Sequence, residues 1–223
     1  MSLRIAVFGT SRSGKDYTIR DATELLSEKG MLFTHVSPIS MIHKGLNDRK
    51  LRDMPEDEKH TLVKSIRERI DNLLEDDYVF IDEHYCFPRT FDGRVIDNDY
   101  YGEKLPYFED RGFEGRIYET VFDENWLKKY DAAVYMDIDP HIILNRFQTS
   151  DGIKNNPFAT YDDVYLWQMF EIDRIQEMCI RNSIPLYYIY DHQRSGEELT
   201  TIVLLLLQSN NNRKAHSEDY TWN

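Results

Sequence analysis

Gly9-Thr10-Ser11-Arg12-Ser13-Gly14-Lys15-Asp16 follows the apolar run Leu3-Arg4-Ile5-Ala6-Val7-Phe8. The octapeptide reads GxxxxGK, the spacing of a phosphate-binding loop. Gly9 and Gly14 permit tight backbone turns that aim N–H groups at one point, and Lys15 reaches the outer phosphates. The run before it is rich in branched and aromatic residues and predicts a buried strand. After Lys15 the apolar period changes: Thr18, Ala22, Leu25 and Leu26 share a helical face, and Gly30 is placed to end that helix. Strand, glycine loop and helix together predict a nucleotide-phosphate cradle formed by Gly9, Thr10, Ser11, Arg12, Ser13, Gly14, Lys15, Asp16 and Tyr17. One residue departs from the pattern. Asp16 stands where a Ser or Thr hydroxyl usually holds Mg²⁺, and a carboxylate can serve as that ligand, directly or through water.

Strand and helix signals then alternate, the mark of a parallel sheet with crossover helices. Further strands are predicted at Leu32–Val36, Tyr78–Ile81, Ala132–Met136 and Leu186–Tyr190. Helices are predicted at about Ser37–Leu46 and Glu56–Leu74, after Asp139-Pro140, from Thr160 to Asn182, and from Ser195 to Gln208. Thr160 with Asp163, and Ser195 with Glu198, have capping-box spacing. The segment 86–125 is rich in Tyr, Phe, Gly, Arg and acid and shows little periodicity. So long a connection inside a compact domain is usually functional, and its aromatic content argues against disorder. Residues 1–208 are expected to form one domain with that insertion and a lid at about 147–160, and 209–223 a polar, frayed tail.

A net charge of −13 disfavours nucleic acid or an anionic membrane as a main partner. Cys86 and Cys179 are too few for a disulfide framework, which fits a reducing, cytoplasmic setting. No leader-like start is present, and the apolar run 202–207 is too short to span a bilayer.

Asp82 closes the predicted strand Phe80-Ile81, at the carboxyl edge where open α/β sheets bind ligands. It is a candidate Mg²⁺ ligand beside Asp16. His84, two residues on, can face the same side and contact an acceptor or orient Asp82. His35, His43, His60, His141, His192 and His216 lack metal-ligand spacing and read as surface or core residues.

The run Asp48-Arg49-Lys50-Leu51-Arg52-Asp53-Met54-Pro55, the helix after it, and FIDEHYCFP at 80–88 resemble the archaeal-type adenylate kinases and their uncharacterised bacterial relatives. Those carry an Arg-containing stretch, a helix and a strand ending in DxH. DAAVYMDIDPHIILNRF at 131–147 is similar to their fourth strand and the start of their lid. The likeness runs through most of residues 3–190. It implies a three-layer fold with a five-stranded parallel sheet in the order 2-3-1-4-5, helices on both faces, and transfer of the γ-phosphoryl group of ATP to a nucleoside monophosphate. By that resemblance Lys15 is the phosphate lysine, Asp82 the metal-side acid, Arg146 a lid arginine, and Arg52 lies near the acceptor. The segment 147–158 contains Lys154 but no arginine beyond Arg146, where such lids carry several. Arg89, Arg94, Arg111 and Arg116 of the insertion are candidate replacements, with Arg89 a candidate acceptor contact. The run Ser13-Gly14-Lys15-Asp16 also resembles phage-type deoxynucleoside monophosphate kinases and animal phosphomevalonate kinases. The readings therefore include a kinase of a non-nucleotide phosphorylated metabolite and a nucleotide-binding regulator with little turnover.

Overall fold

The computed structural model describes residues 2–46, 55–76, 78–88, 90–91, 94–95, 109–120, 122, 124–149 and 160–218. Five parallel strands form the centre: β1 (Leu3–Phe8), β2 (Thr34–Val36), β3 (Tyr78–Asp82), β9 (Ala132–Met136) and β10 (Leu186–Ile189). Their spatial order is β2-β3-β1-β9-β10, the expected 2-3-1-4-5 when these five alone are counted. β1, β3 and β9 have neighbours on both edges, and every residue of β9 is buried. That burial on two faces is why these strands read as continuous apolar runs rather than alternating ones.

Helices α1 (Lys15–Ser27), α2 (Pro38–Leu46), α3 (Glu56–Leu73), α4 (Glu124–Leu127), α5 (Pro140–Thr149), α6 (Tyr161–Asn182) and α7 (Ser195–Glu218) cover the two faces of the sheet. Thr160 opens α6 as expected: its hydroxyl accepts from the Asp163 amide at 3.2 Å, and the Asp163 carboxylate accepts from the Thr160 amide at 2.9 Å. Ser195 does not make the predicted box with Glu198. Its hydroxyl instead accepts from the Thr18 hydroxyl at 2.7 Å, which ties the starts of α1 and α7 together. The predicted end of α7 at Gln208 also moves, because 209–218 contains neither Gly nor Pro and the helix continues to Glu218.

The insertion is more regular than its sequence suggests. β4 (Cys86–Pro88), β8 (Arg116–Thr120) and β7 (Glu109–Phe113) form an antiparallel sheet, and β5 (Thr90–Phe91) pairs with β6 (Arg94–Val95). The turn between β7 and β8 places Glu114 at φ 47 and Gly115 at φ 74. Two left-handed residues match the right-handed twist of a two-residue hairpin. With strands of two to five residues, no period had room to show. The aromatic content has a packing role: Tyr118 stacks on Phe170 of α6 at 4.7 Å, and Phe113 lies 5.7 Å from the same ring. Arg116 donates to the buried Asp163 carboxylate at 2.8 Å, so the α6 cap also anchors the hairpin.

Glu171 of α6 is fully buried beneath this sheet, accepting from the Tyr135 hydroxyl at 3.1 Å and the Cys86 amide at 3.4 Å. Burial pushes its carboxyl up to about 7 from 4.5. An acid raised in the folded state contributes stability that is complete below its unfolded value and is lost as pH rises through the folded one. Thermal melts should therefore show wild type losing stability relative to Glu171→Gln between about pH 4.5 and 7, by about 3 kcal/mol at most. A flat difference would show that burial does not hold this proton. The α1–α7 contact supplies a second expected outcome. A Cβ at Gly196 would collide with Asp21 Oδ2 and lie 2.7 Å from Asp21 Cβ, too close for side-chain rotation to relieve. Gly196→Ala should cost about 1–3 kcal/mol, read as a lowered Tm.

Candidate functional site

The register of β1 against β3 builds the site. Val7 pairs with Asp82, so β1 turns into the loop as the last residue of β3 arrives beside it. Gly9 (φ 150) and Gly14 (φ 106) make the turns, and Arg12 also takes a left-handed conformation (φ 68). The Ser13 amide donates across the loop to the Thr10 carbonyl at 3.2 Å. α1 begins at Lys15, which sets the free amides of its first turn at the loop mouth.

Lys15 is only 5% exposed. Its Nζ donates to the Gly9 carbonyl at 2.6 Å and the Thr10 carbonyl at 3.4 Å, and lies 3.7 Å from Asp82 Oδ1. From α5, Arg146 Nη1 donates to the carbonyls of Arg12 at 2.9 Å and Ser13 at 2.7 Å. Both cations thus rest on carbonyl oxygens of the loop that is predicted to hold anions. Thr10 Oγ1, Ser13 Oγ and Asp82 Oδ1 are buried without a hydrogen-bond partner, although a buried polar atom left unpaired costs stability. Those orphan atoms, the two cations and the helix terminus fit a bound polyphosphate with its metal.

A cavity of about 740 Å³ lies over the loop. Ser11 to Thr18 line it, with Asp82 and His84 at one side and Arg146, Thr149, His192 and Ser195 at the other. A second cavity of about 690 Å³ shares Asp16 and Tyr17 and continues past Arg20, Thr23, Glu24 and His35. Tyr17 is exposed between the two, with the Arg20 guanidinium 5.6 Å from its ring centroid.

The titratable groups are perturbed where they meet. Burial, with Asp16 nearby, pushes Asp82 up to about 6 against the pull of Lys15. His84 is held neutral, its pKa well below the usual imidazole value through burial and the Lys15 charge. Its Nδ1 is buried without a partner and its ring lies 4.9 Å from that of Phe87. Glu83, next in the chain, is also buried and raised to about 8, but it accepts from the Tyr130 hydroxyl at 2.5 Å and does not line the cavity.

The structure thus gathers Gly9 to Tyr17, Asp82, His84 and Arg146. Arg52 and Arg89 lie outside the described residues, as does most of the expected lid, 150–159. Of the other candidate arginines, Arg116 is held by Asp163 and neither it nor Arg111 lines the cavity. His35 and His192, read from sequence as ordinary histidines, both reach cavity walls. His35 Nε2 stands 3.9 Å from Asp16 Oδ1, and ligand atoms of Asp16, His35 and Asp82 all lie within 4.8 Å of one another. No local signal in the sequence marks His35; the pairing of β2 with β3 does. Phe33 stacks on Phe80, so His35 and Asp82, each two residues further on, share that face of the sheet.

Among solved structures the chain is similar to shikimate kinase from Acinetobacter baumannii in complex with shikimate, at 14% identity over 94% of this chain and 95% of that one, with a TM-score of 0.50. It is also similar to shikimate kinase from Bacteroides thetaiotaomicron (11% identity, 90% and 98% covered, TM-score 0.49) and to TT1252 from Thermus thermophilus (11%, 92% and 97%, 0.49). No protein-family model and no curated protein matches the chain. The fold is that of the P-loop kinases. Among the described residues no helix is long and apolar enough to cross a membrane.

Gly9 tests the loop directly. A Cβ there would sit 2.9 Å from Ser13 Oγ and 3.0 Å from Met136 Cβ, on a backbone that side chains rarely adopt. Gly9→Ala should lower stability by about 1–3 kcal/mol in a thermal melt and weaken ATP binding in a calorimetric titration. Unchanged affinity would show that the loop does not form the cradle.

Proposed function

We propose that this chain is an ATP- and Mg²⁺-dependent phosphotransferase acting on a small molecule. One observation carries the reading: Lys15, Arg146, Asp16 and Asp82 converge on a single cavity at a glycine loop, with loop hydroxyls left unpartnered. Phosphoryl transfer needs positioning and charge stabilisation more than covalent help, and this is the equipment assembled. Lys15 would exchange the carbonyls of Gly9 and Thr10 for phosphate oxygens. Arg146 would do the same with the carbonyls of Arg12 and Ser13, bringing a second cation to the transferred group. Asp16 and Asp82 would hold the Mg²⁺ ion, which supplies charge neutralisation between the phosphates. The cavity end at Thr149 and His192 would take the rest of the donor nucleotide, leaving the side at Asp82 and His84 for the acceptor.

Two acceptor chemistries follow. The resemblance to adenylate-type kinases favours a nucleoside monophosphate, with Arg52 and Arg89 supplying its phosphate contacts. The described acceptor side favours the other. Neutral His84, whose buried Nδ1 has no partner, suits a hydrogen bond with a hydroxyl group and offers a phosphate dianion no positive charge. A hydroxylated acceptor, such as the shikimate bound by the Acinetobacter baumannii enzyme, is supported by that uncharged contact.

Release of ADP from ATP and Mg²⁺ should be measured against two panels: ribo- and deoxynucleoside monophosphates, and hydroxylated acids and sugars including shikimate. Acceptor-dependent ADP is expected from one panel, with Lys15→Ala lowering kcat at least about a hundredfold. Tight ATP binding without turnover on either panel would overturn the kinase in favour of a nucleotide-binding regulator.

A further inference from the structure

Asp16, His35 and Asp82 come from three separate elements: the first turn of α1, the edge strand β2 and the carboxyl end of β3. Each offers one ligand atom, and the three atoms lie mutually within 4.8 Å. Asp82 Oδ1 is buried without a hydrogen-bond partner and has Lys15 only at ion-pair distance, 3.7 Å. His35 Nε2 and Asp16 Oδ1 are 3.9 Å apart, too far for a hydrogen bond yet within one ion's reach of each other. Coordination bonds of about 2.0–2.2 Å bring ligand atoms to about 3 Å apart, which small side-chain rotations at the exposed Asp16 and His35 can supply.

The donor set is one imidazole nitrogen and two carboxylate oxygens. Mg²⁺ prefers oxygen ligands throughout and sheds water reluctantly, whereas imidazole suits the later divalent ions such as Fe²⁺, Ni²⁺ and Zn²⁺, and Mn²⁺, at the weak end of that series, suits the two carboxylates and serves as a spectroscopic probe of the set. We propose that Asp16, His35 and Asp82 form a protein-borne site for a divalent transition-metal ion, with His35 as a direct nitrogen ligand, that fills before any nucleotide binds. The proposal rests on the metal role given above to Asp16 and Asp82, and extends it in ligand set, metal class and order of binding. Three protein ligands leave further positions on the ion free. The three residues border two cavities that share Asp16, one lined by the phosphate loop and Asp82, the other by His35 and Arg20. These three side chains would hold the ion without a phosphate to keep it in place.

The test uses the full chain, free of nucleotide, with Mn²⁺ alone as probe. Loss of the free-ion electron paramagnetic resonance signal on titration reports binding. Electron spin-echo modulation reports whether a nitrogen nucleus is coupled to the bound ion. Stoichiometric Mn²⁺ binding with imidazole nitrogen coupling is expected in wild type, with no more than slight displacement by a large excess of Mg²⁺. His35→Ala should abolish the nitrogen coupling and weaken binding by at least the roughly tenfold that loss of even an outer-shell partner costs. His35→Asp should restore binding without nitrogen coupling and let Mg²⁺ compete. The wild-type coupling needs no variant to fold, and circular dichroism checks the two that are used. Absence of binding without nucleotide, bound Mn²⁺ without nitrogen coupling, or equal displacement by equimolar Mg²⁺ would each overturn the proposal. These measurements need no turnover, so loss of the kinase reading leaves them interpretable, and an active Mg²⁺ enzyme lacking nitrogen coupling would sink this inference alone.

Discussion

A buried ammonium group organises this molecule. Lys15 is enclosed almost completely, and an isolated buried charge would be costly, so its surroundings have to supply oxygen. They do so through the carbonyls of Gly9 and Thr10 and the carboxylate of Asp82. That requirement constrains the backbone on both sides. The loop must turn its carbonyls inward, which demands positive φ at Gly9 and Gly14, and β3 must end beside β1 with its acid at the edge. The central strand pair and the loop are thus one electrostatic unit, and the rest of the sheet is added outside it.

The same arrangement explains why the loop is charged against its own carbonyls. Lys15 and Arg146 lie on oxygens, while hydroxyls of Thr10 and Ser13 stay unpaired. Polar groups are satisfied from one side only, and an anion with a metal ion completes the other. The tension is also visible in Asp82, where burial outweighs the adjacent lysine and the carboxyl rises to about 6. Such perturbed groups cluster where structure is organised for a ligand rather than for stability alone.

Around this centre the insertion acts as a second packing layer. Its hairpin is fastened to α6 at two points of different character, the Tyr118–Phe170 stack and the Arg116–Asp163 pair. Asp163 caps its helix and holds the hairpin with one carboxylate, so local helix chemistry sets the position of a segment distant in sequence. Arginines that composition offered as phosphate contacts are partly consumed by this structural role: Arg116 serves α6.

The loop motif, the buried runs and the Thr160–Asp163 cap were legible in sequence because each is local. A phosphate loop needs two glycines and a lysine at set spacing, a buried strand needs a short apolar run, and a helix start needs one side chain three residues from its partner. The strand order 2-3-1-4-5 came by resemblance and agrees with the observed sheet. The insertion strands were not legible, since pieces of two to five residues carry no measurable period and β4 finds its partner β8 far along the chain. Ser195 likewise chose Thr18 of a distant helix over the local cap. His35 shows the division most plainly. Nothing in its neighbours along the chain suggests a ligand. Only the parallel pairing of β2 with β3, which sets His35 on the face that carries Asp82, brings it within reach of Asp16. Local sequence determines which backbone can form, while side chains become one site only when the sheet order makes strands far apart in sequence adjacent in space.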